Sequence, residues 1–88
     1  MKVVVTRIGP DGTVWRRMIN TAERPDGDQW ETQDTDALAA EPPPYRPAAG
    51  SPVCHVRMDN HVVLVAEDDL AGPLRDLATA VLAVGDPV

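Results

Sequence analysis

The chain has no phenylalanine, a single cysteine, three aromatic residues and eight bases among its 88 residues. Each shortage excludes something. With only Trp15, Trp30 and Tyr45 to supply rings, a core must be assembled mainly from Val, Leu, Ile and Ala. Cys54 stands alone, so no disulfide forms within the chain, and on a buried strand face it is a small hydrophobe before it is a nucleophile. Fourteen acids against the eight bases give a net charge of −6. A field of that sign repels phosphate backbones and anionic lipid, and the adjacent Arg16 and Arg17 are too small a cluster to override it, so neither nucleic acid nor membrane is expected as a partner. No apolar run approaches membrane-spanning length. The amino end offers only Val3, Val4 and Val5 before polar residues return, which is not the pattern of a signal peptide, and the expected location is cytoplasmic.

What is present is clearest over residues 53–84. Cys54, Val56 and Met58 alternate with His55, Arg57 and Asp59, the period of a strand with one buried face. Asp59 and Asn60 both tolerate positive φ and suit a two-residue hairpin loop, so residues 61–66 fold straight back, pairing Met58 with His61 and His55 with Leu64. Beyond Glu67, Asp68 and Asp69, the apolar residues Leu70, Leu74, Leu77 and Val81 trace a helical stripe that Ala78 and Val84 extend. Upstream, residues 2–8 and 13–20 read as a second hairpin about Gly9, Pro10, Asp11 and Gly12, where Pro sets one corner and Gly accepts the left-handed one. Residues 21–52 hold six of the nine prolines and read as a connection with a short helix opening near Asp34 and stopped by Pro42, Pro43 and Pro44.

The expected fold is therefore a single α+β domain over residues 1–88. It comprises a four-stranded antiparallel sheet of two β-hairpins (2–20 and 53–66), a C-terminal helix (69–84) on one face and the Pro-rich connection. Polarity suggests the spatial order second, first, fourth, third, because residues 3–5 and 62–65 are apolar on both faces whereas the other two strands carry Arg16, Arg17, His55 and Arg57. The second face then needs the segment from Trp30 to Tyr45, or another protein, to cover it.

Sites of chemistry are scarce. Cys54 and His55 point to opposite strand faces and the hairpin register separates His55 from His61, so no metal set converges and no cofactor is expected. Asp26, Gly27 and Asp28 begin like a calcium loop, but Glu31 stands where that loop needs glycine, and a solvated turn is the better reading. Glu67, Asp68 and Asp69 suit helix capping better than acid–base work, because no nucleophile or base accompanies them. Pro42, Pro43, Pro44 and Tyr45 match the PPxY pattern of a WW-domain ligand, though in a small domain such a string more often ends a helix and packs its Tyr. No catalytic set is expected.

Two stretches carry a resemblance. Arg7, Gly9, Gly12 and Arg16 match a strand ending in Arg, a glycine-rich turn and a second strand with Arg. The run from His61 to Val65, the acids at 67–69 and Pro73, Leu74 and Leu77 look like a His-bearing strand, an acidic break and a helix that opens on Pro with Leu spaced along it. On these residues the chain resembles the emfourin family, proteinaceous inhibitors of thermolysin-like zinc metalloproteases. Its turn is one residue shorter, with Pro10 and Asp11 in place of Gly-Phe-Ala. The resemblance implies a non-enzymatic inhibitor whose partner is such a protease, contacted through Arg7, Gly9, Pro10, Asp11, Gly12 and Arg16, with Asp26 and Asp28 of the following loop as further candidates. The alternative is a non-enzymatic assembly module that pairs with itself or another chain through a sheet edge or the uncovered face.

Overall fold

Alternation along Lys2–Ile8 (β1) leaves Val3 and Val5 fully buried on one face, and this strand is the middle of the sheet. A computed structural model describes residues 1–39 and 50–87. On one side β1 pairs antiparallel with Val14–Asn20 (β2), bringing Arg7 opposite Trp15 and Thr6 opposite Arg16. On the other it pairs antiparallel with Val53–Met58 (β3), bringing Val5 opposite Val56 and Thr6 opposite His55. His61–Ala66 (β4) returns along β3 in the expected register, with Met58 opposite His61 and His55 opposite Leu64. Past the last helix, Asp86–Pro87 (β5) pairs with Arg17 and Met18 of β2. The order is β4-β3-β1-β2-β5.

This corrects the sequence expectation twice. Among the described residues the sheet has five strands rather than four, and β3, not β4, lies beside β1. Polarity misleads because an interior strand need not be buried on both faces. Cys54, Val56 and Met58 are buried beneath the helices, while His55 and Arg57 stand on a face that keeps contact with water. The doubly apolar β4 sits at the edge, with Val62 56% and Leu64 39% exposed.

Among the described residues two α-helices lie on one face. Gly72–Val84 (α2) buries Leu74, Leu77, Ala78 and Val81 as its sequence stripe requires, with Pro73 tolerated in the first turn. The stripe ends at Val81, since Val84 is half exposed, and Leu70 precedes the helix while still packing on the core. Glu67–Asp69 form a separate 3-10 turn instead of capping α2, whose N-cap Ala71 makes no side-chain bond. The earlier helix, Gly27–Ala39 (α1), opens well before the expected start near Asp34 and spans 13 residues. It buries Trp30, Asp34 and Ala37, and its Trp30 and Ala37 join Val3, Val5, Ile19, Val56, Met58 and the α2 stripe in one core. Thus α1 does not cover the second face. The expected stop at Pro42, Pro43 and Pro44, and the PPxY reading with Tyr45, fall outside the described residues.

Candidate functional site

The hairpin turn between β1 and β2 is held by its own backbone. Gly9 N–H donates to Thr13 O at 2.7 Å and Gly12 N–H to Gly9 O at 3.0 Å, closing the turn. Asp11 Oδ1 accepts from Thr13 N–H at 3.0 Å. Gly12 sits at φ 86°, the left-handed position that glycine occupies without strain. The Thr13 hydroxyl and backbone hold the Asp11 carboxyl below its ordinary value, so it stays ionised through the neutral range. Pro10, Asp11 and Gly12 all face solvent.

Next to the turn, Arg7 forks onto Glu67, with Nε 2.9 Å from Oε1 and Nη2 3.3 Å from Oε2. The Glu67 hydrogen bond and charge raise the Arg7 pKa above its ordinary value. Ser51 Oγ donates to Asp68 Oδ2 at 2.8 Å, so two acids of the 67–69 turn serve as anchors rather than caps. Trp15, opposite Arg7, is half exposed and stacks under the Arg17 guanidinium at 4.5 Å. Arg7, Trp15, Thr79, Leu82 and Ala83 line an open groove of about 360 Å³.

The remaining candidates do not join this cluster. Arg16 faces away from Arg7, on the side of the sheet opposite the helices, where its Nε donates to Thr6 Oγ1 at 3.1 Å. Asp26 and Asp28 lie at the opposite end of β2 from the turn, roughly 20 Å away at strand rise. Asp26 accepts from Arg24 Nε at 3.2 Å, and its backbone oxygen accepts from Gln29 and Trp30 at the start of α1. Partial desolvation acts to raise its carboxyl, and hydrogen bonds from Arg24 and Trp30 outweigh that and lower it. Asp28 is exposed in the first turn of α1. Gly27 and Asp28 thus open α1 rather than forming the expected solvated turn, and the 9–12 turn and the 26–28 segment form no single patch.

One feature is assembled only by the sheet. Register places Lys2, Val4 and Thr6 of β1, Arg16 and Met18 of β2 and His55 and Arg57 of β3 on the face opposite the helices, where Thr6 is buried. Lys2, Arg16 and Arg57 thus share a face on which Asp86 of β5, opposite Met18, is the one strand acid among the described residues, although the chain carries −6 overall. The period-two pattern of each strand already encoded it, but it becomes visible only when β3 is set beside β1. Lys2, Val4, Arg57, Asp59 and Asn60 line a depression of about 530 Å³ at one end of this face.

Cys54 is buried, and burial pushes its thiol up. His55 lies on the face opposite the helices and His61 on the helix side, and no group of three or more metal-ligating side chains assembles among the described residues. None of the helices among the described residues is long and apolar enough to cross a membrane. No protein-family model, curated protein or solved structure matches the chain.

Proposed function

We propose that this chain is a non-enzymatic, proteinaceous inhibitor of thermolysin-like zinc metalloproteases, blocking the protease by presenting the 9–12 turn. The target class comes from the emfourin-like pattern of Arg7, Gly9, Gly12 and Arg16 and of residues 61–77. The observation that carries the reading is the turn itself: solvent-facing at Pro10, Asp11 and Gly12, yet closed by three internal hydrogen bonds. A loop already ordered in its binding shape loses little conformational entropy on docking, which is the physical requirement of a tight inhibitor. Trp15, half exposed beside the turn, is the kind of amphipathic anchor on which such interfaces concentrate their energy. Titrating the protein into thermolysin tests this. A sharp loss of activity ending near one-to-one stoichiometry is expected, whereas full activity beside intact, uncleaved protein removes the reading.

A second reading, an assembly module, is favoured by Lys2, Arg16 and Arg57 on the face opposite the helices. Their charge suits an acidic protein segment. Salt-sensitive binding of a Glu-rich peptide, lost in Arg16→Glu and Arg57→Glu, is expected on this reading; unchanged binding in those variants counts against it.

A further inference from the structure

The outer edge of β4 has no strand beside it among the described residues, whereas β2 at the other side carries β5. In a two-residue hairpin the closing pair exchanges hydrogen bonds, so His61, Val63 and Val65 turn their N–H and C=O groups toward β3. Glu67 keeps the same parity, its N–H reaching Pro52 O at 2.9 Å. The N–H and C=O groups of Val62 and Leu64 consequently point outward, as does the Ala66 N–H, while the Ala66 C=O opens the 3-10 turn at 67–69. Exposed edges are ordinarily guarded by Lys, Pro, an inward charge or a bulge. His61–Ala66 contains no Lys, Arg, Asp, Glu or Pro, its register with β3 runs unbroken, and Val62 and Leu64 are exposed.

We infer that β4 is a self-pairing edge: two copies of this chain join antiparallel about a two-fold axis at Leu64, making one continuous sheet. The outward N–H groups are symmetric about that residue, so Leu64 pairs with its own counterpart and Val62 with Ala66 of the second copy. An axis normal to the sheet preserves its faces. The apolar Val62 and Leu64 of both copies then meet on the face opposite the helices, and the helices of both lie on the other. Charge decides for a second copy over an unrelated strand. Two chains of net charge −6 repel each other at most surfaces, but this seam is free of acids. At its ends the same register sets His61 opposite Glu67 of the second copy, at the start of the acidic Glu67–Asp69 turn. The pairing is isologous and closes as a dimer. It uses no residue of the 9–12 turn, so its fate is separate from that of the inhibitor reading.

Sedimentation velocity from about 10 µM to about 1 mM tests it, because a seam of one strand pair is a small interface. The apparent mass is expected to rise from 9.5 kDa toward twice that value. Leu64→Lys is expected to weaken dimerisation at least tenfold while circular dichroism and any protease inhibition stay unchanged. In the wild-type chain, amide exchange at Val62, Leu64 and Ala66 is expected to slow as concentration rises, a readout that needs no variant. A chain that stays monomeric with these amides exchanging freely, or a dimer that persists in folded Leu64→Lys, overturns the inference. Should Leu64→Lys unfold, Val62→Lys serves on the same edge.

Discussion

Arg7 and Glu67, 60 residues apart, meet as a fork with two nitrogen–oxygen contacts of 2.9 and 3.3 Å. The pair ties the end of β1, one residue before the hairpin turn, to the turn that follows β4. Its side chains are 42% and 39% exposed, so its value lies in positioning more than in stability. Lysine keeps the charge of arginine but not the two parallel donors. Arg7→Lys is therefore expected to leave the melting temperature nearly unchanged, to speed amide exchange at Gly9 and Gly12, and to weaken protease inhibition about tenfold. Exchange rates and an inhibition titration on the same sample check it.

Asp34 is fully buried in α1 with neither carboxylate oxygen hydrogen-bonded among the described residues, and its pKa is raised to about 6. Desolvation is the main cause; the charges of Asp59 and Glu31 add to it, and the N-terminal ammonium opposes it. In the unfolded chain the group titrates near its ordinary value of 3.8. Between these values the folded state holds the extra proton, so this group's effect is to lower stability as pH rises from about 4 to about 6. The accumulated cost above pH 6 is on the order of 3 kcal/mol. Asp34→Asn is expected to recover about 1–3 kcal/mol at pH 7.5 and to flatten that slope, as denaturant unfolding at a series of pH values would show.

The separation of the two segments makes a sharp test of which one acts. Valine at position 12 must adopt φ 86°, a strain of about 1–3 kcal/mol for a residue with a branched Cβ. Gly12→Val is expected to weaken inhibition at least tenfold. Asp26→Ala and Asp28→Ala, roughly 20 Å away, are expected to change it less than twofold. Inhibition constants for the three variants decide the matter, and the reverse pattern would move the contact surface to the 26–28 segment.

Leu77 and Val84 are both apolar positions of α2, at opposite extremes of burial. Leu77 has no exposed surface, and Leu77→Ala is expected to cost about 2–5 kcal/mol through lost burial and the cavity left behind. Val84→Ala, at a half-exposed site, is expected to stay within about 0.5 kcal/mol of the wild type. Chemical denaturation of both variants measures the contrast.

Legibility followed the local signal. The β3–β4 hairpin was readable to the residue because a two-residue loop leaves one register, although only Asp59 of its two turn residues takes positive φ. The stripe of α2 was readable because Leu74, Leu77 and Val81 are apolar in a polar background. The start of α1 was not, because the middle of its buried stripe is Asp34, a charged residue that reads as surface or cap. The fifth strand was beyond reach of pattern, for two residues carry no period.

The site divided in the same way. The 9–12 turn and its Gly12 corner follow from residue chemistry alone. The union of Lys2, Arg16 and Arg57 does not, because it depends on β3 lying beside β1, and the expected order placed those strands apart.

By itself the sequence determined which segments alternate, where the hairpins turn and which stripe of the last helix is buried, since these follow from backbone geometry within a few residues. Only the tertiary structure decided strand order, the burial of Asp34 and the face on which the cations gather. Those outcomes are set by packing between segments up to 60 residues apart, where polarity along one strand cannot say which of its faces the helices will cover.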